Sequence, residues 1–149
     1  MNTITAAVAD RLNSLIETCL DGEEGYRAAA NAVKNGDLRV MFSSLSIQRH
    51  QFAEELQEMV RALDITPETD GTTTGAMHRG WIRLRSALTH GDEAPILTEC
   101  ERGEEAAVSQ YREALADEDL DGELRDVLRL QFMGVQGAYE HVREVRAHF

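Results

Sequence analysis

Leu15-Ile-Glu-Thr-Cys-Leu-Asp-Gly-Glu-Glu24 lines up with Ile96-Leu-Thr-Glu-Cys-Glu-Arg-Gly-Glu-Glu105. Both stretches carry Cys-x-x-Gly-Glu-Glu, and an aromatic residue follows each, Tyr26 in one case and Tyr111 in the other. Each stretch lies in an apolar stripe of helical period and is followed by a second such segment. A helical hairpin of this kind exposes its apolar face when alone, and two copies packed together bury both. Chance likeness between amphipathic helices is the competing explanation; the shared six-residue motif favours duplication.

The segments around the repeat extend the same pattern. The first, about 3–34, places Ile4, Val8, Leu12, Leu15, Cys19, Tyr26 and Val33 on one face. Asn35-Gly36-Asp37 then turns the chain. The second, about 37–63, carries Leu38, Met41, Leu45, Phe52, Leu56, Met59 and Leu63. A third, about 93–117, has Ile96, Cys100, Ala107, Tyr111 and Leu115. A fourth runs to the C-terminus through Leu124, Leu128, Val135, Val142 and Val145. The two prolines, Pro67 and Pro95, fall in the breaks. Between those breaks Met77, Trp81, Leu84 and Leu88 form one stripe of a short helix, with Thr73 or Thr74 as its N-cap and Gly91 after its end. No segment alternates with the period of a strand. The expectation is an all-α, four-helix bundle of two αα-hairpins in one domain over 1–149: hairpin one at about 3–63, a crossover with a short extra helix at 64–92, and hairpin two at about 93–148.

The 149 residues suit one domain with a real core. Asp and Glu number 27 against 15 Lys and Arg, a net charge of −12. Phosphate backbones and acidic membrane faces would be repelled over most of such a surface, which argues against nucleic-acid and membrane partners. No apolar run approaches the ~20 residues needed to span a bilayer. Met-Asn-Thr-Ile-Thr lacks the features of a signal peptide. A cytoplasmic protein is expected. Cys19 and Cys100 are too few for a disulfide framework and read first as small buried residues. If the repeats are related by a two-fold axis, the two thiols could also meet in a redox pair.

Chemistry is sought where the stripes are interrupted. From Cys19 to Tyr26 the first helix passes through Gly22 and Glu23; from Cys100 to Ala107 the third passes through Gly103 and Glu104. Each repeat thus aims a carboxylate at or near the interior, beside a glycine that allows close backbone approach. A buried carboxylate must find a proton, a cation or a metal. Ferritin-like carboxylate proteins take Glu-x-x-His from two of their helices, and neither Glu-x-x-His nor Asp-x-x-His occurs here. The alternative is a metal-binding oxidase or storage protein, with iron or manganese as cofactor and an unusual ligand set drawn from Glu23, Glu104, His50 and His141. The preferred neutraliser is Arg49, which breaks the second stripe beside Gln48 and matches carboxylates bidentately. Arg49 is expected to meet Glu23, Glu104 or both, with Gln131 and Tyr139 completing the hydrogen bonds. Phosphate-binding glycine loops, nucleophile elbows and zinc-protease motifs do not occur. The crossover helix is basic, with His78, Arg79, Arg83, Arg85 and His90; it is read first as a surface helix docked through Met77, Trp81, Leu84 and Leu88 with its arginines solvated, and as the alternative it would clamp the bundle or contact a second subunit.

Leu12-Asn-Ser-Leu-Ile-Glu-Thr-Cys-Leu-Asp-Gly-Glu-Glu-Gly-Tyr26, His78-Arg-Gly-Trp81 and Glu99-Cys-Glu-Arg-Gly-Glu-Glu-Ala-Ala107 together resemble a family of small bacterial four-helix-bundle proteins. That family belongs to the ferritin-like superfamily and is classed as a domain of unknown function. The resemblance extends from about Leu12 to Arg146 and takes in Gln48-Arg-His-Gln-Phe-Ala-Glu-Glu-Leu56. In Ala138-Tyr-Glu-His-Val-Arg-Glu-Val-Arg146, Tyr139 stands where the family often has His, which argues against a metal role for that helix. The resemblance implies a ferritin-like bundle and association between subunits, and it supplies no activity or cofactor. The sequence is therefore read as a non-catalytic bundle acting through self-association, as a dimer first, or through an unknown protein partner. No metal cofactor is expected.

Overall fold

The computed structural model describes residues 2–149. Five helices follow one another: α1 (Thr3–Ala32), α2 (Gly36–Ala62), α3 (Gly75–His90), α4 (Glu93–Leu115) and α5 (Gly122–Arg146). Their ends have local causes. The Asn2 side chain accepts from Thr5 N at 2.7 Å, and Asn35 does the same for Leu38 N at 3.1 Å, so each asparagine satisfies an otherwise orphan donor. After α2 the chain turns through Asp64 at φ 61, with Ile65 N bonded back to Val60 O and Asp64 N to Arg61 O. That is the paired-bond helix stop usually made by glycine. Gly91, at φ 71, stops α3 in the same left-handed region. Thr74 is the N-cap of α3, without a side-chain bond.

The hairpins α1–α2 and α4–α5 stand side by side, α1 beside α4 and α2 beside α5. Among the described residues no close backbone approach joins α1 to α5 or α2 to α4, so these pairs are the diagonals of the bundle. The crossover carries α3 over the α1–α4 seam, where Leu84 is buried and Trp81 and Leu88 pack half-buried against the core. This is the architecture expected from the apolar periods. Ile4 departs from its stripe and lies exposed in the first turn of α1. Among the described residues no helix is long and apolar enough to cross a membrane.

The core has two apolar clusters stacked along the bundle. One gathers Leu12, Ile16 and Cys19 of α1 with Leu56, Tyr111 and Leu128. The other gathers Tyr26 and Ala29 of α1 with Phe42, Ile96, Cys100 and Val142. On α1, α2 and α4 the change from one cluster to the other falls at Gly22, Arg49 and Glu104, the sites where the stripes break.

Candidate functional site

Arg49 and Glu104 meet in the gap between the two clusters. The guanidinium donates through Nη1 to Glu104 Oε1 at 2.5 Å and through Nη2 to Oε2 at 2.6 Å, the parallel two-bond geometry that suits a carboxylate best. The two side chains are 3% and 2% exposed, so the pair sits inside the protein and not at its rim. Because α2 and α4 are diagonal neighbours, the bond spans the centre of the bundle. Gly22 makes room for it: a Cβ there would stand 3.2 Å from Arg49 Cγ. Nε of Arg49 reaches Gln48 Oε1 at 3.3 Å, and the Tyr26 ring lies 5.8 Å from the guanidinium carbon.

The electrostatics follow from burial. Desolvation alone would push the Arg49 guanidinium down, but the charge of Glu104 and its hydrogen bonds outweigh it and the net direction is up. Burial, then the nearby Glu104 charge, raises the Tyr26 phenol well above its usual range. Burial raises the Cys100 thiol too, and pushes Cys19 up to about 11.

The two repeat carboxylates have different surroundings. Glu23 does not reach Arg49. It lies on the flank of α1, bonded to Arg27 Nη2 at 2.6 Å and to His50 Nδ1 at 3.1 Å. The physical reason is position: Arg49 projects across the centre to the diagonal helix, while Glu23 sits beside α2 and meets its outer face. His50 is half-exposed there and also contacts Glu54 at 2.7 Å. His141 is remote, near Asp37, Met41 and His148 at the end of the bundle where α1 turns into α2. Glu23, Glu104, His50 and His141 are therefore not brought together.

Gln131 and Tyr139 also need correction as partners of the pair. Gln131 is buried but serves a different network: it accepts from Tyr111 Oη at 2.7 Å and donates to Phe52 O and Glu55 Oε1, each at 3.2 Å. The same phenol lies 3.3 Å from Cys19 Sγ. Tyr139 is half-buried against the first cluster, and no hydrogen bond joins it to Arg49 among the described residues. Tyr111 is not legible in the sequence as a polar hub because it occupies an apolar-stripe position. Its only available signal was that a buried phenol needs a partner. Cys19 and Cys100 are both free thiols, one in each cluster.

A ferritin-like fold implies iron or manganese only if several donors converge on one point. Here both oxygens of the central carboxylate are engaged by a permanent cation, which also repels a second one. Among the described residues no group of three or more His, Cys, Asp or Glu is arranged to hold a metal. The central residues do not fit a di-metal centre.

The crossover is strapped down on both sides of α3. Asp21 accepts from Thr72 through its backbone N at 3.1 Å and through its hydroxyl, and Thr72 O meets His78 Nδ1 at 3.0 Å. Burial raises the Asp21 carboxyl, with the two Thr72 bonds opposing. Of the basic residues of α3, Arg83 reaches Glu99 of α4 at 3.4 Å and Arg85 lies over the Trp81 ring.

Comparison with known proteins agrees with this architecture. The family described as "Domain of unknown function (DUF2383)" matches residues 7–117. No curated protein matches the sequence. Among solved structures, a mutant of Dps1 from Mycobacterium smegmatis is similar, with a TM-score of 0.76 at 16% identity over 98% of this chain and 99% of that one. At that identity the likeness speaks for the fold, the ferritin-like four-helix bundle.

Proposed function

The chain belongs to the DUF2383 family of ferritin-like domains of unknown function, and on that premise we propose that it is a non-catalytic bundle acting through self-association, with no di-iron centre. The observation that carries this reading is the buried two-bond pair between Arg49 and Glu104. It neutralises the interior carboxylate without a metal and leaves no free acid or base at the centre. Self-association draws support from the outer faces. Val40 and Ile47 lie two turns apart on α2, Leu130 and Met133 one turn apart on the neighbouring α5, and each is at least 60% exposed.

Two measurements on protein purified without chelators test the proposal. Elemental analysis is expected to find no stoichiometric iron or manganese; stoichiometric metal that disappears in Glu104→Ala would replace this reading with a metal-binding one. Light scattering is expected to give a dimer mass, twice the 16.6 kDa of one chain, and Leu130→Glu should shift it towards monomer with unchanged helicity. A monomer at every concentration would remove self-association.

A further inference from the structure

α3 covers the α1–α4 seam without filling it. A half-open cavity of about 90 Å³ remains beneath the helix, several times the ~15 Å³ that a single water needs. Met77, Trp81 and Leu84 of α3 form its apolar wall. Gly103 of α4 stands in the lining, with no atom within 4 Å of the position its Cβ would take. A glycine inside a helix is destabilising relative to alanine, and no neighbour here requires it.

Acids and bases in the lining are equal in number, Asp21, Glu99 and Glu104 against Arg49, Arg83 and Arg102, but they are not evenly placed. Arg49 and Glu104 neutralise each other on the inner side. Asp21 stands on α1, where both of its oxygens accept from Thr72. At the α3–α4 edge two guanidiniums share one carboxylate. Arg83 Nε lies 3.4 Å from Glu99 Oε2, and Arg102 Nη1 lies 2.9 Å from Glu99 Oε1. Among the described residues no other acid pairs with either arginine. One positive charge is therefore left over at this edge, and α3 contributes no acid between Gly75 and His90 to offset it. Both arginine side chains are about half exposed and keep most of their N–H donors unbonded, so an anion can reach them from solvent.

We propose that this cavity binds a small monocarboxylate with an apolar body, in the manner of a short-chain fatty acid. The chain lies against Met77, Trp81 and Leu84 and over Gly103. The carboxylate meets the free donors of Arg83 and Arg102 at the edge. A single negative charge matches the single surplus positive one, whereas a phosphate dianion would exceed it beside Glu99. The cavity lies under α3 and takes in none of the exposed apolar residues Val40, Ile47, Leu130 and Met133, so the proposal stands independently of self-association.

Trp81 is the chain's single tryptophan and part of the wall, so its fluorescence reports binding directly. Hexanoate is the probe; hexan-1-ol carries the body without the charge, and acetate the charge without the body. Hexanoate is expected to change the emission saturably and to bind more tightly than either control, with an affinity that falls as salt is raised. Arg102→Gln removes the surplus charge and should weaken hexanoate about three- to fivefold; Glu99→Gln doubles the surplus and should tighten binding by a similar factor. Both substitutions break the same Arg102–Glu99 ion pair, so opposite signs separate a ligand site from a structural contact. Gly103→Leu fills the cavity from a position without steric conflict and should abolish the response with helicity unchanged. The proposal is overturned by no saturable response to hexanoate, or by equal binding of hexan-1-ol. It is overturned equally if the two charge variants move the affinity in the same direction, or if Gly103→Leu keeps the response.

Discussion

Arg49 reaches across the bundle because Gly22 offers no side chain to obstruct it, and it ends on Glu104 with both carboxylate oxygens engaged. Desolvating two charges is expensive, and the two-bond geometry offsets that cost only while both partners are present. Arg49→Met, which strands the carboxylate, is expected to lower stability by about 3–5 kcal/mol, read from urea unfolding. Glu104→Leu should cost a similar amount. The double variant should recover most of the loss, because a well-filled apolar centre is about as stable as a buried ion pair. Strictly additive losses in that cycle would show that the two residues do not act as a pair. The stripe interruptions made Glu23, Arg49 and Glu104 legible as candidates in the sequence. Which carboxylate Arg49 takes was not legible, since the repeat presents Glu23 and Glu104 in the same motif.

At the scale of elements, the paired glycines Gly22 and Gly103 diverge as their carboxylates do. Gly22 is occupied by the passing arginine, whereas Gly103 looks into the cavity under α3. Gly103→Ala should therefore gain about 0.5–1 kcal/mol in a urea or thermal melt, the ordinary helix preference for alanine with no steric cost. Gly25→Ala is expected to do the opposite. Its new methyl meets Leu84 Cδ2, and overpacking of that kind costs about 1–3 kcal/mol. Altered Trp81 emission should accompany the loss as α3 is displaced. The apolar periods located all five helices to within a few residues of Thr3–Ala32, Gly36–Ala62, Gly75–His90, Glu93–Leu115 and Gly122–Arg146. They could not say which seam α3 would cover. A single stripe identifies a docking face but not the groove that receives it.

Across the whole molecule, the buried thiols and phenols set an alkaline limit. Folded Cys19 keeps its proton up to about 11, whereas the unfolded chain releases it near 9.0. Proton release then favours the unfolded chain, so this contribution is complete below pH 9.0 and is lost as pH rises towards about 11. Cys100, Tyr26 and Tyr111 are raised by burial and act in the same direction. Urea midpoints under reducing conditions should fall across that window, and Cys19→Ala should remove part of the slope. A midpoint that stays flat would show that these groups are hydrated in the folded state. Asp21 and Glu17 are also raised, again with burial as the main cause, so ionised they favour the unfolded chain. Their contribution therefore grows as pH falls through their folded values. Asp21→Asn, which retains an acceptor for Thr72, should weaken that acid-side gain.

The sequence by itself determined the helices, their pairing into two hairpins and the three positions at which the apolar stripes break. Those features are local: helix period, capping residues and turn chemistry act over a few residues and are written in their order. The tertiary structure alone decided that Glu104 is the buried partner and Glu23 the flanking one. It also decided that Gln131 answers Tyr111, and that α3 covers the α1–α4 seam. Each of these depends on which helices become diagonal neighbours, a relation set by packing four faces around one core and carried by no single stretch of chain.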